Sequence, residues 1–281
     1  MSKIDLFGGT GFIGSYFKGM YEDNIYVHPR DNIKPEINDV LYMISTTDNY
    51  NVFTDIFVDF NTNVVHLLKV LESYKNDKVL RENSVFNFVS SWFVYGKIND
   101  LPAKETSVCN PRGFYSITKK CAEDLLISFC ETYKLKYRIL RLCNVYGLGD
   151  EGTSKKKNAL QYLLEEIKNN KSIQLYYDGN FIRDYMNIRD VCKAIYLCIN
   201  DNTTVNQIIN IGSGVPQKFG EIIRFAIKEA KSASSVTSVY PPDFHKQVQV
   251  KDMYLDVTKL SKLGFKQEIN IFDGVREILS S

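Results

Sequence analysis

Tyr115-Ser116-Ile117-Thr118-Lys119 places a phenol and an ammonium four residues apart. On a helix, positions i and i+4 share a face, so the two groups stand side by side. A free phenol ionises at about pH 10, and an adjacent cation favours phenolate. A tyrosine tuned in this way can take a proton from a hydroxyl while hydride leaves the same carbon. The same spacing also describes an ordinary solvated pair, so the motif needs company. Ser90-Ser91-Trp92-Phe93-Val94-Tyr95-Gly96 follows a strand pattern, and a Ser91 hydroxyl there could bond the oxygen that Tyr115 deprotonates. A serine pair that only caps a strand end reads equally well.

Gly8-Gly9-Thr10-Gly11-Phe12-Ile13-Gly14 supplies a partner for that chemistry. A G-x-x-G-x-x-G run between a strand and a helix is a dinucleotide arrangement. Gly8 permits the tight turn, Gly11 lets backbone approach a pyrophosphate, and Gly14 lets helix pack on strand. The first helical turn, with Phe12 and Ile13, then points its N–H groups at the phosphates.

The elements that position these residues alternate. Lys3 to Phe7, Ile25 to His28, Asp39 to Ile44, Ser84 to Ser90 and Tyr137 to Leu142 read as strands. The spacing predicts long helices over 55–74, where Phe57, Phe60, Val64, Leu67, Leu68 and Leu71 recur at helical spacing, and over 115–133, with Ile117, Cys121, Leu125, Ile127 and Phe129 on or near the inward face. This alternation predicts an α/β fold, a Rossmann-like, doubly wound, mostly parallel sheet. Residues 1–150 would form most of the dinucleotide-binding domain, with 180–212 returning to it. Residues 151–281 would form most of a smaller substrate lobe over the carboxyl edge of the sheet.

Composition removes other classes. The chain has 281 residues, 35 basic against 33 acidic, and a net charge of +2, which gives no general attraction for nucleic acid or membrane. Lys155-Lys156-Lys157 is its one basic cluster and reads as a solvated loop or a polyphosphate contact. Six cysteines without a C-x-x-C pair and three histidines give no metal-site spacing. No signal peptide or membrane span is legible, so the expectation is a reduced, cytoplasmic enzyme without a metal.

The order of motifs carries a resemblance. Gly8–Gly14, Ser90–Gly96, Tyr115–Lys119, Arg141-Leu142-Cys143-Asn144-Val145-Tyr146-Gly147, Arg183-Asp184-Tyr185, Asn210-Ile211-Gly212 and Asp256-Val257-Thr258-Lys259-Leu260 follow one another. Together they resemble the extended short-chain dehydrogenase/reductase family, in its NAD-dependent nucleotide-sugar epimerase and dehydratase group. The resemblance implies Tyr115 as base, Lys119 as its partner and a cofactor-ribose contact, and Ser91 as third catalytic residue. It implies Asn144 and Arg183 at the diphosphate of a nucleotide sugar, with Lys251 in the place of a second arginine. It puts Asn61 behind the active site, and Ser45-Thr46 beside the nicotinamide ribose, where Ala-Ala is usual. It also implies a homodimer paired through the two long helices.

Three departures refine the expectation. Dehydratases of the group place Asp-Glu after the serine, reductases that resemble GDP-fucose synthase place a cysteine first, and decarboxylases a glutamate second. Here Trp92 and Phe93 stand there, neither able to transfer protons, with Ser91 and Trp92 as expected substrate contacts. Hydride transfer plus Tyr115 suffices for a nucleotide-sugar 4-epimerase or, alternatively, an NADPH-dependent 4-ketoreductase; a non-catalytic dinucleotide sensor is the rival from another class. The cofactor choice stays open between NAD and NADP. Counted from the strand, the acidic position falls on Pro29, with Arg30 next and suited to a 2′-phosphate. Counted from Gly14, Asp31 or Asn32 falls there. Lastly, residues 32–39 leave no room for the usual third strand and its helix, so the adenine side of the sheet should be shortened and cofactor binding weakened.

Overall fold

The computed structural model describes residues 3–29, 31–36, 39–75, 84–150 and 158–281. Arg30 and Lys155-Lys156-Lys157 lie outside the described residues. The N-terminal elements are β1 (Ile4–Phe7), α1 (Phe12–Met20), β2 (Ile25–His28) and β3 (Asp39–Tyr42). Next come α2 (Val58–Phe60), a π-helical turn (Asn61–Val65), α3 (His66–Lys75), β4 (Val85–Ser91), α4 (Phe114–Tyr133) and β5 (Lys136–Leu142). The remaining elements are β6 (Asn144–Tyr146), α5 (Ala159–Lys168), β7 (Ile173–Tyr176), β8 (Ile182–Arg183), β9 (Tyr185–Asn187), α6 (Ile188–Asn200), β10 (Gln207–Ile211), β11 (Gln217–Lys218), α7 (Phe219–Glu229), β12 (Val236–Val239), α8 (Asp243–Val248), α9 (Thr258–Lys262) and α10 (Ile271–Ser280).

Six strands form one sheet in the order β10-β5-β4-β3-β1-β2, with every pairing parallel. All four residues of β1 are buried, as a central parallel strand covered on both faces requires. On one face Phe17, Val191, Ile195 and Cys198 of α1 and α6 pack on Leu6, Leu41, Leu140 and Ile209. On the other, Leu67, Leu71, Ala122 and Leu126 of α3 and α4 pack on Phe7, Tyr42, Phe88 and Ile139. A third apolar cluster joins α5, β7, α7 and α10 through Leu164, Leu175, Ile223 and Val275. The sheet is therefore the doubly wound parallel one that the alternation predicts.

The strand order reverses at β1, which pairs β2 on one side and β3 on the other. Ligands of such sheets bind outside the carboxyl ends of the strands at that point. As the short 32–39 segment implies, no strand among the described residues lies beyond β2, which forms the sheet's edge.

Helical faces differ from expectation. The π turn inserts one residue into the helical repeat, so the face read by a 3.6-residue period rotates across it. Val64, Leu67 and Leu71 are buried, but Phe57, Phe60 and Leu68 are exposed. On α4 the buried face carries Tyr115, Ser116, Thr118, Lys119, Ala122, Glu123, Leu126 and Cys130, while Ile117 is exposed. The inward side of α4 is partly polar because it holds both the candidate chemistry and a buried ion pair. Arg141 on β5 grips Glu123 with two bonds, Nε to Oε1 at 3.0 Å and Nη2 to Oε2 at 2.6 Å.

Candidate active site

The glycine loop follows β1 directly. Gly8 has φ +91°, a left-handed conformation that disfavours any side chain, and its carbonyl accepts from Gly11 N–H at 3.1 Å. A Cβ on Gly14 would stand 2.2 Å from that same carbonyl oxygen, so only glycine lets α1 approach the loop. A Cβ on Gly11 would meet only the Gly8 oxygen, at 3.5 Å, and would otherwise project into open space. That space lies at the uncapped N-terminus of α1, where no side chain bonds the first N–H groups. Open room beside free N–H donors fits a pyrophosphate. Phe12 and Ile13 pack their side chains, half-buried, against the core, and leave their backbone to the loop. Asp31 is exposed in the turn after β2.

Ser91 ends β4 and Tyr115 begins α4. Ser116, inside the Tyr–Lys motif, caps this helix: its Oγ accepts from Gly113 N–H at 2.9 Å and donates back to Gly113 O at 2.8 Å. Gly113 is required here, because a Cβ would fall 2.1 Å from Asn49 Oδ1. Tyr115 is buried, and burial raises its phenol pKa, while hydrogen bonds from Ser91 and Ser45 oppose that rise. Lys119 is 2% exposed. Its Nζ donates to Val89 O at 2.7 Å and stands 4.0 Å over the Phe88 ring. Burial pulls its pKa down to about 7, with Glu123 pulling the other way. The expected cation beside the phenol is thus anchored on β4.

Asn61 is not behind this site; it is exposed. The π turn brings Asn63 there instead, 1% exposed. Asn63 Oδ1 accepts from Ser45 Oγ at 3.0 Å and from Thr46 N–H at 2.9 Å. Its Nδ2 donates to Thr46 Oγ1 and to Thr118 Oγ1, each at 2.9 Å. One amide therefore ties the segment after β3 to the helix that carries Tyr115. Thr46 Oγ1 in turn donates to the buried Asp59 carboxylate, which also accepts from Asn51 at 3.0 Å.

A cavity of about 400 Å³ opens between these elements and the C-terminal segments. Thr47, Asn49, Tyr50, Trp92 and Phe93 line one side, and Asn144, Leu160, Tyr176, Phe181, Arg183 and His245 line the other. Phe93 meets the Tyr115 ring edge-on at 5.7 Å, and Trp92 stacks on Phe93 at 3.9 Å. Among the described lining residues there is no carboxylate.

Arg183 reaches this cavity but does not present the free fork expected of it. Its Nη1 donates to Ile182 O at 2.8 Å and Lys251 O at 2.7 Å, and its Nη2 to Val250 O at 2.9 Å. Three of its five N–H groups are thus committed to main chain, leaving two for a ligand. The guanidinium lies over the Trp92 and Phe181 rings, at 5.4 and 4.8 Å. Asn144 also spends a donor on main chain, Nδ2 to Asp184 O at 2.9 Å. Lys251 is exposed and lines an adjoining cavity of about 400 Å³ with Lys97, Lys246 and Tyr177, which shares Arg183, His245 and Gln249 with the first.

Sequence reasoning missed Asn49, Tyr50 and His245. Tyr50 Oη and His245 Nδ1 lie 3.0 Å apart, across 195 positions of chain. Burial, then Arg183, pushes the His245 imidazole down to about 4, so it is neutral. Tyr50 was within reach of a reader, since it follows Ser45-Thr46 at the carboxyl end of a strand. His245 carried no local signal.

A parallel doubly wound sheet, a glycine loop at the switch point, a half-buried serine and a buried tyrosine and lysine, with the tyrosine ring against Phe93 of the cavity wall, define an NAD(P)-dependent enzyme. A sequence profile of the NAD dependent epimerase/dehydratase family matches residues 39–212, and the chain belongs to that family. A Methanocaldococcus jannaschii protein that carries the provisional name UDP-glucose 4-epimerase is 27% identical, over 97% of this chain and 96% of that one. GDP-6-deoxy-D-mannose reductase of Pseudomonas aeruginosa is 25% identical, over 88% of this chain and 81% of its own length. Among solved structures, UDP-glucose 4-epimerase of Thermotoga maritima with UDP-glucose superposes with a TM-score of 0.87 at 21% identity, covering 99% of this chain and 97% of that one.

Proposed function

We propose that this enzyme is a nucleotide-sugar 4-epimerase, with Tyr115 as the base at the sugar C4. The observation that carries the reading is the absence of a carboxylate among the described residues lining the cavity, together with a buried Tyr115 whose ring meets the cavity-lining Phe93. Dehydration or C3/C5 epimerisation calls for a second proton-transfer group near the sugar. His245, neutral and bonded to Tyr50, is poorly placed to act as one. Simple oxidation and reduction at one carbon needs only the phenol and a hydride carrier.

Bound nicotinamide supplies the acceptor and donor of hydride. Tyr115 takes the C4 hydroxyl proton, and the Ser91 hydroxyl holds the same sugar oxygen. Phe93 and Trp92 cover the Tyr115 side of the cavity and keep water from it. Once the keto sugar has turned within the cavity, Tyr115 would give the proton back to the same oxygen. Gly8, Gly11, Gly14 and the backbone at Phe12 and Ile13 would hold the pyrophosphate, with Ser45, Thr46 and Lys119 near the nicotinamide ribose. The substrate diphosphate would lie where the two cavities meet, between Arg183, Asn144 and Lys251.

A 4-ketoreductase is the second reading, favoured by one feature. With β2 at the edge of the sheet, the adenine end of the cofactor has less protein to bury against, which suits a cofactor that exchanges each turnover. Mass spectrometry of the small molecule released on denaturing fresh protein separates the readings. Stoichiometric NAD supports the epimerase; an empty protein, or one that releases NADP, supports the reductase. Tyr115→Phe should then lower turnover of a UDP-hexose by about 10²–10⁴-fold. Unchanged turnover would remove Tyr115 from the chemistry and favour a dinucleotide sensor.

We further propose a homodimer through the helical segment 57–75 and α4. Phe57 (63% exposed), Phe60 and Leu68 on that segment, and Phe114 and Ile117 (46%) on α4, form an apolar surface that the single chain leaves uncovered.

A further inference from the structure

The two cavities share one neck: Tyr176, Phe181, Arg183, His245 and Gln249 line both. On the nucleotide-sugar reading, on which this inference rests, the substrate diphosphate lies in that neck. Arg183 has two N–H groups left after its bonds to the carbonyls of residues 182, 250 and 251. A diphosphate has more acceptor oxygens than two donors can serve. The neck must supply others, from Tyr176, His245 or Gln249.

His245 is held in a way that suits this task. It stands half-buried on α8, with its ring 4.6 Å from that of Tyr176. Its neighbour Phe244 packs on Tyr50 and Phe53, with ring centres 5.1 and 4.6 Å apart, which fixes α8 against the 3₁₀ turn Asn49–Phe53. Tyr50 Oη lies 3.0 Å from His245 Nδ1. The other ring nitrogen, Nε2, bonds to none of the described residues, and it is not among the buried polar atoms shut away without a partner. Nε2 is therefore the nitrogen left open.

A neutral imidazole carries one proton, on either nitrogen. An anion at Nε2 demands the proton there. Nδ1 must then accept, and the Tyr50 phenol is the donor that an accepting Nδ1 requires. Burial, then Arg183, holds the imidazole pKa down at about 4, so the ring adds a donor without setting a second cation against the guanidinium. From this geometry we propose that His245 is a substrate-binding residue whose Nε2–H donates to the diphosphate beside Arg183, with Tyr50 as the positioning residue that fixes its tautomer. Neither residue belongs to the motifs that mark the family in this chain.

The experiment is calorimetric titration of UDP, GDP, CDP and dTDP into protein saturated with the nicotinamide cofactor it binds more tightly, so that the glycine loop is already filled. His245→Ala should weaken the tightest of the four by about 10- to 100-fold. Tyr50→Phe should weaken it too, and should add little once residue 245 is alanine. Nitrogen-15 NMR of histidine-labelled wild-type protein gives a reading that a merely structural role would not move: in the nucleotide complex His245 Nε2 should carry a proton. An unmoved affinity in His245→Ala, or an Nε2 without a proton in the complex, overturns the proposal and leaves the nucleotide-sugar reading standing. A wild-type protein that binds none of the four nucleotides overturns both.

Discussion

Lys119 donates from Nζ to the carbonyl oxygen of Val89 at 2.7 Å, and so fastens the helix of the base to the strand that ends in Ser91. The bond fixes the distance between two of the three candidate catalytic residues. It also buries an amine whose pKa falls to about 7 from 10.5.

That burial makes stability depend on pH. Between about 7 and 10.5 the unfolded chain holds the Lys119 proton and the folded chain has largely lost it, so stability rises with pH across that window. Below 7 the folded protein carries the full cost of the buried charge. Lys119→Met should flatten the wild-type slope by about 1 kcal/mol per pH unit between 7.5 and 10. Urea melts of both proteins at three pH values test this, and parallel slopes would refute it.

Replacing Asn63 and Asn61 should give opposite results. Asn63→Ala leaves Ser45, Thr46 and Thr118 without their shared partner, and should cost about 2–3 kcal/mol in denaturant unfolding. Asn61→Ala, at an exposed position, should stay within about 0.5 kcal/mol of wild type.

Arg183→Ala should lower Tm as well as raise KM. The side chain holds the carbonyls of residues 182, 250 and 251, so its loss loosens one wall of the cavity along with the phosphate contact. A KM effect with unchanged Tm would show that those bonds matter little.

Ile117→Glu places a charge in the exposed apolar surface of α4. Light scattering should then give half the wild-type mass, with the circular dichroism of a folded chain. A wild-type protein that already runs as a monomer would sink the dimer.

The sheet was legible because its strands are short apolar runs separated by helices of regular period, and parallel sheets covered on both faces write themselves that way. The edge at β2 was legible from a count of residues alone. The π turn was not, since a single inserted residue leaves no mark in composition, and with it went Asn63. The Arg183 fork was misjudged for another reason: a guanidinium is equally suited to phosphate and to main-chain carbonyls, and residues 250 and 251 are distant in sequence. His245 escaped notice because only the folded chain sets it against Tyr50.

The pairing of Tyr50 with His245 has a consequence for synthesis. A nascent chain that has emerged through residue 240 already owns the glycine loop, the base and the full set of strands for its sheet. It still lacks the part of the cavity that α8 supplies, with Pro242, His245 and Gln249. Dinucleotide affinity and sugar affinity would accordingly arise at different moments on the ribosome, the second only after α8 has folded back across nearly two hundred residues.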